Sequence, residues 1–170
     1  MQLRKYKPED CASLAELFFD TVHAVNAKDY TPARLKAWAT GKVDLNTWNQ
    51  SFLKHNAVIA EINGMIKGFD DMDDKGYLDR LYVHRNYQNI GIATAIVNEL
   101  EQQAIHSGIS LFTTHASITA KPFFEKRGYR TLKENTVIRN DTKLTNFIME
   151  KNCSNEYDWQ LNNYGGECYE

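Results

Sequence analysis

Residues 77–104, YLDRLYVHRNYQNIGIATAIVNELEQQA, constrain the fold most strongly. Strand formers at Tyr77–Val83 pass through a short loop into a helix. The helix is marked by Ile92, Ile96, Leu100 and Ala104 at every fourth position. Gly91 stands where loop meets helix, and Gly108 suits the helix C-terminus. After the helix, SLFTTHA (110–116) reads as another strand. Two strands separated by a helical crossover lie parallel, so this stretch predicts a β-α-β unit.

Upstream, AVIAEI (57–62) and MIKGFDDMD (65–73) flank Asn63-Gly64, a pair suited to the positive φ angles of a tight hairpin. Asp74-Lys75-Gly76 then turns the chain into Tyr77–Val83, which predicts a three-strand antiparallel meander. Before it, QLRKY (2–6) reads as a strand. Pro8, Glu9 and Asp10 open a helix with Cys11, Leu14, Leu17, Phe18, Val22 and Val25 on one stripe. Thr31 and Pro32 start a second helix that Gly41 follows, and Asp44 caps a third. Downstream, SITAKPFFEKRG (117–128) predicts a helix with Ser117 near its cap and Gly128 at its stop. A final hairpin runs through the turn NDT (140–142). The expected architecture is α/β: a mixed, mostly antiparallel central sheet flanked by helices, in one domain over 1–151.

The 170 residues carry a net charge of −2, which disfavours nucleic acid as the main partner. Three cysteines, Cys11, Cys153 and Cys168, lack CxxC spacing and read as free thiols. The five histidines form no ligand pair, so no metal is expected. MQLRKYKPED has no apolar targeting core, and no window approaches the roughly 18 apolar residues of a membrane span. A cytoplasmic protein with no membrane partner is expected. Residues 152–170 are polar yet hold Tyr157, Trp159, Tyr164 and Tyr169. They read either as a loosely ordered tail or as a segment packed on the domain or on a partner subunit.

A helix N-terminus offers unpaired N–H groups and the positive end of its dipole, so the loop before it suits an anion such as a pyrophosphate. Neither GxxxxGK[ST] nor GxGxxG is present. On the loop alone, Gly91 either admits a ligand to the backbone or eases a tight turn.

Gln-x-x-Gly-x-Ala at 88–93, following Tyr82-Val83, resembles the acyl-coenzyme A loop of the GNAT N-acetyltransferases. ASITAKPFFEKRGY (116–129) resembles that family's second signature, and the predicted element order matches over about 1–151. KDYTPARLKAWA and TNFIME are similar to its YafP-like bacterial branch. The resemblance implies an acetyl-CoA-dependent N-acetyltransferase acting on a small-molecule or peptide amine. Backbone amides of Gln88, Asn89, Ile90, Gly91, Ile92 and Ala93, with Thr94 next, would hold the pyrophosphate. Leu81, Tyr82 and Val83 would pair with the pantetheine arm. Ser117 stands where the family often has an Asn that bonds this arm, and as plain chemistry it is also a helix cap. Asp79 is the proposed base, with an ion pair to Arg80 or Lys75 as its other reading. Phe124 replaces the family's usual acid Tyr, leaving Tyr82, His115, water or no acid at all. That replacement also motivates a second reading, a non-catalytic acyl-CoA-binding sensor or scaffold. His23, Tyr30, Trp38 and His115 are the expected acceptor residues. The acidic run DDMDD (70–74) either hints at a cationic acceptor or is a solvated turn. Family members are often homodimers, and the aromatic tail offers one contact surface for that.

Overall fold

The computed structural model describes residues 1–153. The tail readings, with Tyr157, Trp159, Tyr164, Cys168 and Tyr169, fall outside them. Strand β1 (Gln2–Lys5) leads through a short 3-10 turn into α1 (Cys11–Ala24), α2 (Pro32–Trp38) and α3 (Leu45–Lys54). The strands β2 (Asn56–Ile62), β3 (Met65–Met72), β4 (Tyr77–Leu78) and β5 (Tyr82–Val83) follow. Then come α4 (Ile92–His106), β6 (Leu111–Ser117), α5 (Lys121–Lys126), β7 (Arg130–Arg139) and β8 (Thr142–Asn152).

Local chemistry accounts for the boundaries. Thr31 Oγ1 accepts the Arg34 N–H, and Asp44 accepts those of Asn46 and Thr47, so both predicted caps form. Asn63 and Gly64 turn β2 into β3 with φ of 52° and 74°. Gly108 closes α4 by donating to Ile105 O, while Ile109 donates to Ala104 O. Other expectations shift. Gly41 lies beyond the end of α2, which the extended residue Ala39 terminates. The last hairpin turns on Asn140-Asp141 alone, with Thr142 already in β8. The fifth helix begins at Lys121 rather than near Ser117, which stays in β6.

The strands form one sheet in the order β1-β2-β3-β4-β6-β8-β7, with β5 also on β3. Neighbours are antiparallel except β4 and β6, which are parallel as the crossover requires. Period-two alternation divides the core. Val58, Ala60 and Met72 pack with Ile92, Ile96, Val97 and Leu100 of α4. Ala57, Ile59 and Phe69 pack on the other face with Leu14, Leu17 and Phe52 of α1 and α3. Gly68 permits the close approach of β3 to α4, because a Cβ there would lie 2.8 Å from Ile92 Cγ2.

The main departure is at Tyr77–Val83, which is two short strands rather than one. Asp70 Oδ1 accepts the N–H groups of Asp71 at 2.8 Å and Arg80 at 3.2 Å. The second bond stands in for a strand-to-strand bond and interrupts the ladder at Asp79–Leu81. The acidic run is only in part a solvated turn: Asp70 and Asp71 are fully buried in β3, while Asp73, which accepts from the Lys75 and Tyr77 N–H groups, and exposed Asp74 make the turn. Burial and the nearby charge of Asp71 hold the Asp70 carboxyl well above the usual range. A raised carboxyl binds its proton more tightly in the folded state, so stability falls as pH rises from the unfolded value toward the folded one. Asp70→Asn keeps the acceptor and removes the proton. We expect its unfolding free energy, by urea titration at several pH values, to lose that decline.

Candidate active site

Past the break, β5 and β6 part company. Thr114 Oγ1 donates to Leu78 O at 3.0 Å, fastening β6 to β4 just before the split. Beyond it β5 follows β3 while β6 follows β8 through Ser117 opposite Asn146. A cleft of about 700 Å³ opens between them. His84 N–H bonds Lys67 O across the β3 pair. By antiparallel alternation, Leu81 and Val83 then turn their N–H groups the other way, into the cleft. The Val83 carbonyl is already engaged by Thr21 Oγ1 at 3.2 Å and by Gln88 Nε2. One edge of the cleft thus presents amide donors with no strand to receive them.

The N-terminus of α4 forms the adjoining wall. Asn89 and Gly91 both adopt positive φ, 61° and 87°. Gly91 is the N-cap, no side chain caps the helix, and its first turn holds no acid. The first amides of α4 are therefore left for a ligand. The space around Gly91 is open, so a side chain there would project into it from a strained backbone. Gln88, Asn89, Ile92, Ala93 and Thr94 line the cleft beside Gly91, whereas Ile90 is exposed and lies outside the lining.

The remaining expected residues divide. Asp79, Leu81, Tyr82, Val83, Ser117, Phe124, Trp38 and His115 border the cleft. Asp79 is raised from the ordinary carboxylate range by partial burial and the charge of Asp71, with Arg80 and His55 opposing. The Tyr82 ring packs against Phe18 and Phe69 with centroids 4.9 and 5.7 Å away, and burial pushes its hydroxyl up. Ser117 Oγ accepts the Ala120 N–H at 3.0 Å. Phe124 is buried against Phe123 and Tyr129. His115 is exposed, edge-on to Tyr77.

Two expected acceptor residues lie elsewhere. His23 Nε2 sits 2.8 Å from Ala39 O and its ring stacks near Phe19, away from the cleft. Tyr30 is buried, and its hydroxyl accepts from Ile118 N and donates to Thr145 O, each at 2.8 Å. That hydroxyl is a strut tying the α1–α2 connection to β6 and β8. Asp29 adds a second tie by accepting from Thr119 Oγ1 at 2.7 Å. The connection so held brings Asn26 and Lys28 to the cleft, residues the sequence did not single out. Asn26 is 5% exposed, a signal visible only after folding. His55 and Asp71 were missed for the same reason: they converge on Asp79, with one donor atom from each of the three within 4.8 Å of the others.

Residues 26–151 match the acetyltransferase (GNAT) domain. The chain belongs to the GNAT family. Its sequence is 34% identical over 149 residues to the uncharacterized N-acetyltransferase YafP of Escherichia coli (strain K12), spanning 88% of this chain and 94% of that protein. A solved GCN5-related N-acetyltransferase of Rhodopseudomonas palustris is 33% identical, covers 89% of this chain and 94% of that one, and superposes with TM-score 0.85. The PaiA N-acetyltransferase of Thermoplasma acidophilum, solved with coenzyme A, shares the fold at 21% identity and TM-score 0.74, over 89% of this chain and 98% of that one. The protein is an N-acetyltransferase. Among the described residues no helix is long and apolar enough to cross a membrane.

Removing the Tyr30 hydroxyl takes the partner from a part-buried N–H and a part-buried carbonyl. Tyr30→Phe is expected to lose about 1–3 kcal/mol of stability in chemical denaturation. It should raise acceptor KM more than it lowers kcat, since the roof over the cleft loosens while the reacting groups stay.

Proposed function

We propose that the protein transfers an acetyl group from acetyl-CoA to a primary amine of a small molecule or peptide, by direct attack of the amine on the thioester. The observation that carries this reading is the unpaired β5 edge running straight to the uncapped, glycine-started N-terminus of α4. A donor edge suits the amide-bearing pantetheine arm, added as one more strand. The adjoining helix end suits a pyrophosphate. The residues present therefore fit the cosubstrate, and the family relationship supports the same assignment.

Acetyl-CoA supplies an activated acyl carbon and a thiolate leaving group. The chain supplies the surroundings. Amides of Gln88, Asn89, Gly91, Ile92, Ala93 and Thr94 receive the pyrophosphate, and Leu81 and Val83 present N–H groups along the arm. One of these amides faces the thioester carbonyl and stabilises the developing oxyanion. Ser117, half-buried at the end of β6, lies alongside. Asp79 accepts the proton that the attacking ammonium must lose, directly or through water. The new C–N bond forms as the C–S bond breaks, and the electron pair leaves on sulfur. Phe124 donates no proton, and burial lifts the Tyr82 hydroxyl further above a thiol's ordinary value of about 8.5. That leaves His115, at the cleft, or water to protonate the thiolate. Trp38 and His115 line the space left for the acceptor.

Thermal unfolding with ligands added singly tests the assignment. Acetyl-CoA and CoA should raise the midpoint while ATP and NAD do not. Saturation at a hundredfold excess over Kd is worth about 2.7 kcal/mol. In Gly91→Glu, a strained backbone and an anion at the phosphate site should abolish the rise; an unchanged response would remove the loop from the site. An amine panel with acetyl-CoA then reads turnover. Asp79→Asn should lower kcat by about 10²–10⁴ with acetyl-CoA affinity unchanged. Because the Asp79 carboxyl is raised, kcat/KM in the native enzyme should climb with pH through a limb above the ordinary carboxylate value near 3.9. A limb at or below that value would exclude Asp79 as the base.

A further inference from the structure

We propose that His55, clamped by Asp71, is a positioning residue for Asp79, acting through the Asp71–Arg80 cluster on the charge of that carboxylate at the cleft; the inference rests on the base role given to Asp79. Side chains from separate parts of the chain meet behind the cleft wall. His55 ends α3, Asp71 lies in β3, and Asp79 and Arg80 occupy the break between β4 and β5. His55 Nδ1 is 2.6 Å from Asp71 Oδ2. Arg80 Nε and Nη2 donate to the two Asp71 oxygens at 2.8 and 2.5 Å, and Nε lies 3.5 Å from Asp79 Oδ2. One donor atom from each of His55, Asp71 and Asp79 lies within 4.8 Å of the others.

Two carboxylates so close repel, and the Asp71 charge raises the Asp79 carboxyl. Asp71 has a side chain with no exposure, so its charge depends on Arg80 and His55. With both cations present the trio of His55, Asp71 and Arg80 carries a net +1 toward Asp79, and the two cations oppose the rise that burial and Asp71 impose on that carboxylate. Arg80 is immobilised: Nη2 also donates to Ser51 Oγ at 2.8 Å, and its guanidinium lies 4.1 Å from the Phe52 ring centre. His55 is the member whose proton solvent can set, being 23% exposed at the side chain. The Asp71 carboxylate raises the imidazole from its usual value, so the imidazolium persists toward neutral pH. The charged groups facing Asp79 are Asp71, Arg80, His55 and Asp73, and those facing His55 are Asp71, Arg80 and Asp79. The guanidinium already makes the bonds to Asp71 that a metal ion would replace.

The test is the pH profile of kcat/KM for His55→Gln beside wild type and Asp79→Asn. Losing one charge at this range should move the acid limb upward by about one unit. At a pH below both limbs, kcat/KM then falls about tenfold. The high-pH plateau and the KM for acetyl-CoA should stay unchanged. An unmoved limb in His55→Gln, with Asp79→Asn inactive, overturns the inference and spares the base. Full turnover by Asp79→Asn removes the base reading and this inference together. Should His55→Gln fold poorly, the His55 ring is titrated by NMR in wild type and Asp79→Asn. Coupling is reciprocal, so neutralising Asp79 must lower the imidazole pKa; an equal pKa in both overturns the proposal. So does a His55-dependent gain of activity when zinc or manganese is added after chelation.

Discussion

In the middle of β3 the Asp70 carboxyl accepts the amide hydrogens of Asp71 and Arg80. The bond to Arg80 is short-range in effect and long-range in consequence. It ends β4 at Leu78, lets β5 restart at Tyr82, and so allows β5 to leave β6 just past the Thr114–Leu78 tie. Without the break, continuous pairing would carry β4 along β6, and the edge that now faces the cleft would be sealed by ladder bonds. The interruption comes at a cost. Asp70 Oδ2 is buried with no partner, and the carboxyl is pushed far above its usual range. A neutral acid tolerates such a position better than an anion, because an unpaired buried charge costs far more than an unpaired buried dipole.

The break also decides which groups face which compartment. Alternation along β2 and β3 places α4 on one face and α1 and α3 on the other. The amide-rich end of α4 therefore reaches the cleft from one side, and the α1–α2 connection with Asn26 and Lys28, together with Trp38 at the end of α2, reaches it from the other. A cosubstrate held by the first wall leaves the second for the acceptor. Tyr30 and Asp29 tie the second wall to β6 and β8 through side-chain hydrogen bonds.

Most of the fold was legible because its signals are local. Asp44 and Thr31 as caps, Asn63-Gly64 as a hairpin, and the Ile92–Ala104 stripe each depend on a few neighbouring residues. The glycine loop before α4 was legible for the same reason, since glycine, helix start and preceding strand are adjacent in sequence. Tyr77–Val83 was misread as one strand because its composition favours β throughout. The carboxyl that interrupts it lies ten positions upstream of Arg80. Tyr30 and His23 looked like acceptor residues because a sequence shows a polar ring and not the carbonyl it bonds. His55 and Asp71 went unnoticed because their meeting with Asp79 exists only after α3 and β3 have been laid together.

In the proposed reaction the same cluster bears on Phe124, which stands where a proton donor was expected. A thiolate is a tolerable leaving group near neutral pH, so help on the sulfur side offers little. An ammonium cannot attack at all until it loses its proton, and at that pH most of a typical primary amine is ammonium. In the proposed reaction the burden of acid–base chemistry therefore falls on the acceptor side of the cleft. There the chain places Asp79, raised by burial and Asp71 yet held ionisable by Arg80 and His55. A base lifted above the ordinary carboxylate range takes the ammonium proton more readily, provided its surroundings do not leave it protonated beforehand. The opposing pull of Asp71 and the two cations sets that compromise, and it follows from the strand break that brings Asp79 and Arg80 beside β3.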